Sequence, residues 1–228
     1  PPAPTFATGW LHPNGTPPDA IIEMPVEFTD AGDVGEIPMT TFYTPVPWNE
    51  DRFVEATQVK PGNHAFVHHG VVQAHRPEPG TKIHPVTGRL VNATTGRLVG
   101  DRQPQDEVPE GRFGFAVPSE AFENKGTTWI STYAPGWQFE QYKPGIGKRV
   151  TAGWNIGFNM HYQPTGKPER DRTSLALWFQ KVPLEKELVT VVVGDTKIVE
   201  GEALLNDAAG NQDIPNIPPY ADNFSIIG

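Results

Sequence analysis

Read with a period of two, the segment Trp154–Gln163 separates into two faces. Trp154, Ile156, Phe158, Met160 and Tyr162 fall on one side, and Asn155, Gly157, Asn159, His161 and Gln163 on the other. That alternation predicts a strand with one face in an apolar core. Apolar and β-branched runs predict strands over Ile21–Phe28, Ile37–Tyr43, Arg52–Val59, His64–Ala74, Thr128–Tyr133, Val150–Tyr162, Thr173–Gln180 and Leu188–Val199. Gly (23) and Pro (25) punctuate the chain so often that long helices have almost nowhere to form. The pattern predicts an all-β chain, an antiparallel β-sandwich of jelly-roll type.

The same pattern divides the chain. Residues 1–20 are Pro-rich and read as an extended segment, 21–205 as the folded domain, and 206–228 as a linker-like tail. Within the domain, residues 76–125 form a polar insertion. It holds Thr87-Gly88-Arg89-Leu90-Val91 and a near-copy, Thr95-Gly96-Arg97-Leu98-Val99, which predicts a hairpin-forming β-arm. The arm and the two termini are the expected surfaces for protein contacts. The longest apolar runs, such as Leu188–Val193, fall far short of the roughly 20 residues that a membrane span needs, so none is expected. The chain begins at Pro1 without a leader, which reads as a piece of a longer protein.

Composition narrows the chemistry. Cysteine is absent, which excludes disulfides, thiolate metal sites, iron–sulfur clusters and cysteine nucleophiles; a metal would need His, Asp, Glu, Met or carbonyl ligands. Eighteen basic residues against 27 acidic give a net charge of −9 with no Lys/Arg cluster, which argues against a nucleic-acid partner. Gly-x-Ser-x-Gly, the phosphate loop and His-Glu-x-x-His are all missing.

The histidines carry the strongest chemical signal. Four of the seven, His64, His68, His69 and His75, fall in one short segment, and a thiol-free imidazole set suits copper or zinc. Neighbours on a regular strand point to opposite faces. His68 and His69 therefore either face opposite ways, each satisfied by hydrogen bonds, or share a metal at a bulge that Gly70 would permit. His161 lies on the polar face of its strand, either solvated or aimed at a ligand site. His64 is a reserve ligand, Met160 belongs to the core, and His12, His75 and His84 sit in loop-like contexts that predict exposure.

Three blocks add a resemblance. They are Glu50-Asp51-Arg52-Phe53-Val54-Glu55 leading into Val59-Lys60-Pro61-Gly62-Asn63 and Val67-His68-His69; Tyr133-Ala134-Pro135-Gly136; and Met160-His161-Tyr162-Gln163-Pro164-Thr165-Gly166. Together, over roughly residues 21–179, they resemble the copper type II, ascorbate-dependent monooxygenases, the group of peptidylglycine α-hydroxylating and dopamine β-monooxygenases, in their bacterial forms. The resemblance implies an amino-terminal copper domain with one copper per chain on His68, His69 and His161, ascorbate as external reductant, and an extracytoplasmic (periplasmic or secreted) location. It also implies a second copper domain that activates oxygen through a His-x-His pair and a Met. This chain contains no His-x-His, so that half is expected in a following domain or another chain, and the chain alone is expected to be inactive. A different class of function stands beside it: a non-catalytic jelly-roll module for binding or assembly, with structural histidines or a stabilising metal.

Overall fold

The computed structural model describes residues 9–32, 35, 37–99, 126–137 and 139–190, together with the backbone of four short strands at 197–198, 204–205, 214–215 and 226–227. Among these residues the chain is all β, with no helix, and hence none long and apolar enough to cross a membrane. In chain order the strands are β1 (Ala20–Glu23), β2 (Phe28–Asp30), β3 (Thr40–Pro45), β4 (Arg52–Lys60), β5 (Val67–His75), β6 (Thr81–Ile83), β7 (Leu90–Asn92), β8 (Thr127–Tyr133), β9 (Phe139–Gln141), β10 (Ile146–Val150), β11 (Asn155–Tyr162), β12 (Glu169–Asp171), β13 (Ser174–Phe179), β14 (Lys186–Glu187), β15 (Lys197–Ile198), β16 (Leu204–Leu205), β17 (Ile214–Pro215) and β18 (Ile226–Ile227).

The chain forms two compact units, residues 1–99 with 124–190, and residues 100–123 with 191–228. In the first, one sheet has the order β1-β13-β4-β10-β14 with β9 also paired to β4, and a second has the order β3-β11-β5-β8. All pairs are antiparallel except β10 with β14. The second unit holds two short antiparallel ladders, β15 with β18 and β16 with β17.

One apolar core joins the inner faces of the two large sheets. Val54 and Val59 of β4, Val150 of β10, and Leu175 and Leu177 of β13 meet Val72 and Ala74 of β5, Ile130 of β8, and Ile156, Phe158, Met160 and Tyr162 of β11. This is a β-sandwich, and the alternation predicted for Trp154–Gln163 supplies one of its central strands. The outer face of the larger sheet is covered separately. Trp10 and Phe139 pack on Ala56, Ala176 and Trp178 there.

The structure corrects several boundaries. The run Val150–Tyr162 is not one strand: β10 and β11 belong to different sheets, and the chain turns through Thr151-Ala152-Gly153 to cross between them. Ile21–Phe28 likewise breaks after Glu23, because Pro25 has no backbone donor for a ladder. His64 lies in a turn before β5. Of Leu188–Val199, residues 188–190 are not strand, 191–196 lie outside the described residues, and only Lys197–Ile198 pairs.

Two histidines expected to be exposed are covered instead, His12 fully and His75 in part. His12 is 8% exposed, its ring tilted on Trp178 at 5.4 Å between centroids. His75 projects from the outer face of β5 onto Gly157, edge-on to Tyr43 at 5.3 Å, and burial holds its pKa below the ordinary histidine value. Sequence context failed at both because neither neighbour in the chain is what covers them.

The duplicated Thr-Gly-Arg-Leu-Val builds the same turn twice. His84 Nδ1 accepts the N–H groups of Val86 and Thr87 at 3.3 and 3.2 Å; eight positions on, Asn92 Oδ1 accepts those of Thr94 and Thr95 at 3.0 and 2.9 Å. Each turn closes with a glycine N–H on the carbonyl of the capping residue, Gly88 on His84 and Gly96 on Asn92. The first turn joins β6 to β7, and the second returns Leu98 to a bridge with Val91, so the described part of the arm is a small meander. Residues 100–125 of the predicted arm lie outside the described residues.

Candidate metal centre

The site begins with a counting irregularity in a ladder. β5 and β11 pair in regular antiparallel register from Asn155 opposite His75 to His161 opposite His69, and then Tyr162 pairs with Val67. His68 is the extra residue, a β-bulge. Burial along β5 shows the consequence: Val67 is buried, His68 is exposed, His69 is half-buried and Gly70 is buried. Two consecutive histidines thus reach the outer face of the sheet, where β11 presents His161. The bulge decides between the two readings that sequence left open.

Gly70 has a different part from the one expected. A Cβ there would lie 2.8 Å from Met160 Sδ, so the absent side chain makes room for the thioether of the residue paired with it. Met160 itself is fully buried on the core side and takes no part in the site.

The three imidazoles converge through one type of atom. His68 Nδ1 lies 3.4 Å from His161 Nδ1 and 3.3 Å from His69 Nδ1, and the ring centroids are 4.8 to 5.1 Å apart. A metal–nitrogen bond of about 2.0–2.1 Å at a tetrahedral angle places neighbouring nitrogens about 3.3–3.4 Å apart, whereas a square arrangement places them about 2.9 Å apart. The observed edges match the tetrahedron. Three neutral nitrogens with no carboxylate suit zinc or copper rather than calcium or magnesium, which take oxygen ligands. His68, His69 and His161 therefore form a group able to hold one metal ion. Burial, together with the neighbouring His161 and His68, lowers the His69 pKa, which favours the unprotonated ring that a metal requires.

What lies behind the histidines fixes both strands. Tyr162, next after His161, packs against both Phe28 and Phe66, at 4.5 and 4.6 Å between centroids, and those two rings lie 6.1 Å from each other, so the three form a cluster. Its hydroxyl donates to Asp171 Oδ2 at 3.1 Å, and the same oxygen accepts from Thr173 at 2.8 Å. Asp171 Oδ1 accepts the N–H groups of Gly62 and Asn63, at 2.8 and 3.1 Å, in the turn that leads into β5. Beyond the bulge, the N–H of Gln163 donates to the carbonyl of Phe66. One buried carboxylate thus ties the approach to His68 to the strand end after His161. Sequence reasoning placed Tyr162 on the core face without its tie to Asp171, and it missed Asp171 and Phe66, which no local pattern marks.

Gly62 is required by close approach: a Cβ would lie 2.8 Å from the backbone nitrogen of Arg172, which cannot swing aside as a side chain can. Gly62→Ala is expected to destabilise the protein by about 1–3 kcal/mol, read as a shift in the urea unfolding midpoint. An unchanged midpoint would mean that this turn is looser than its contacts imply.

His64, the reserve ligand, stands apart. Its Nδ1 lies 3.1 Å from the hydroxyl of Tyr133, and it is not one of the three converging rings. His84 is occupied with its turn and His12 with Trp178.

Fold and site together define an all-β sandwich carrying a three-histidine group on a bulged strand. No family model matches the chain, and no curated protein matches it significantly.

Proposed function

We propose that this chain is the electron-delivering copper domain of an ascorbate-dependent monooxygenase-like protein, extracytoplasmic, with one copper on His68, His69 and His161. The observation that carries this reading is the convergence of three Nδ1 atoms, 3.3 and 3.4 Å apart along the two measured edges, on a bulge that aligns consecutive histidines. Bound there, copper would supply one-electron chemistry, cycling between its two oxidation states. The chain's own residues do the rest. The bulge at His68 orients the donors, Asp171 and the cluster of Phe28, Tyr162 and Phe66 hold the backbone behind them, and the partial exposure of the rings leaves the group open to a small reductant. The near-tetrahedral spacing suits the reduced ion, because oxidised copper prefers a square arrangement.

A non-catalytic module with a stabilising metal is the second reading, favoured by the lack of any His-x-His in this chain. Copper loading followed by electron paramagnetic resonance separates the two. The expected result is one copper per chain, nitrogen hyperfine structure in the oxidised signal, and loss of that signal on adding ascorbate. A zinc-selective site, or copper that ascorbate does not reduce, would favour the module.

A further inference from the structure

A second candidate site lies beside the edge strand of the smaller sheet. Trp129 and Thr132 of β8, Trp137 of the following turn, Glu140 of β9 and Lys148 of β10 line an open cleft of about 480 Å³, within the usual size of small-ligand sites. Its exposed lining is mostly apolar, with a small polar part at the edge of Glu140 and Thr132 and with Lys148 buried behind them.

The ring of Trp129 and the backbone that carries Trp137 are held in place before any ligand arrives. Trp137 is 61% exposed, although tryptophan is highly buried on average. Its backbone closes a tight turn on Ala134 through hydrogen bonds of 2.8 and 2.7 Å, with Pro135 and Gly136 at the corner and Gly136 at φ 86°. Proline followed by a glycine at positive φ makes a rigid type II turn, so the exposed ring stands on a stiff support. Trp129 is oriented by its Nε1–H, which donates to Thr132 Oγ1 at 2.9 Å.

The polar groups are equally fixed. Lys148, 3% exposed, donates to the carbonyl of Ile130 at 3.0 Å and to Glu140 Oε2 at 3.3 Å, and Tyr142 donates to the same oxygen at 2.7 Å. These two bonds use about half of what a carboxylate can accept. The remaining capacity belongs to a rigid acceptor next to two apolar ring surfaces.

We infer that this cleft binds a neutral carbohydrate. A sugar ring presents a flat C–H face that packs on indole and a rim of hydroxyls that both donate and accept, which is the combination that Trp129 and Trp137 offer together with Glu140 and Thr132. An organic cation is the other ligand for indole walls, but the Lys148–Glu140 pair leaves no net negative charge in the wall to hold it. A fixed Trp129 ring, a stiff turn under Trp137 and ion-paired polar groups lose little freedom on binding, which lowers the cost of a small contact area. The inference is independent of the metal: Thr132 pairs with Val71, beyond His69 on the neighbouring strand, and none of the three histidines lines the cleft.

The test is calorimetric titration of the intact chain with cello-, xylo-, chito- and malto-hexaose, with tetramethylammonium as the cation probe. Saturable binding of at least one sugar is expected. Trp137→Ala should weaken it at least about tenfold at an unchanged melting temperature, while Trp10→Ala, on the far face of the larger sheet, should leave it intact. Glu140→Gln, which keeps the shape and removes the charge, should weaken it as well; if that variant does not fold, Trp137→Ala decides alone. No binding across the panel, equal binding by Trp137→Ala, or tetramethylammonium bound more tightly than any sugar would each overturn the assignment.

Discussion

His69→Ala is expected to lower the affinity for copper or zinc at least about a hundredfold, roughly 2.7 kcal/mol, in a competition titration against a chelator of known strength. Changes to groups that merely orient a metal ligand already cost about ten- to a hundredfold, and this variant removes a ligand. His69 is the ring whose backbone is paired directly with that of His161 and whose burial lowers its pKa, so the two donors left would be the exposed His68 and its neighbour across the ladder. His161→Ala should behave alike. His64→Ala is the internal control, since its ring is turned to Tyr133 and the affinity should not move. Unchanged affinity in His69→Ala, or an equal loss in His64→Ala, would remove the three-histidine group as the metal site.

Asp171→Ala is expected to cost about 3 kcal/mol of stability in urea unfolding and to weaken metal binding in the same variant. The truncation strands the Gly62 and Asn63 N–H groups and the Tyr162 and Thr173 hydroxyls in a site where Asp171 is 1% exposed. Asp171→Asn should cost far less, about 1 kcal/mol, because its oxygen can serve the two N–H groups while both hydroxyls turn to accept from its amide. The pair also reports on charge. Burial raises the Asp171 pKa above 3.8, outweighing the four hydrogen bonds that pull it down. The folded protein therefore holds that proton more tightly than the unfolded chain. The stability from this group is complete below pH 3.8 and declines as pH rises through the window between 3.8 and the folded value. The stability difference between wild type and Asp171→Asn should accordingly grow in favour of wild type on acidification toward pH 3.8. A difference that moves the other way would mean that the hydrogen bonds, and not burial, set this carboxylate.

The fold class was legible because its signal is repeated along the chain. Five alternating apolar positions in Trp154–Tyr162 each pointed to the same face, and all five are buried. The split between β10 and β11 was not legible, since Val150 and Trp154 are apolar on both sides of a turn that contains one glycine and no proline. His161 could be placed on the polar face from period two alone. The His68–His69 pair could not be resolved, because whether adjacent side chains share a face depends on the partner strand's register and not on the pair itself. The supporting Asp171 was invisible for a related reason: two of its four donors, the N–H groups of Gly62 and Asn63, come from a turn more than 100 residues earlier, and a lone Asp in Arg170-Asp171-Arg172 reads as surface charge.

The bulge at His68 carries a consequence for how such a centre can be won or lost. With that one residue removed, the ladder between Val67 and His69 would close into plain alternation, and the sandwich, its core and its aromatic cluster would have no reason to change. Two imidazoles would still face each other across the strands, with nothing to complete the set. Deleting a single codon would thus be enough to lose the capacity to hold a metal while leaving the sandwich itself in place.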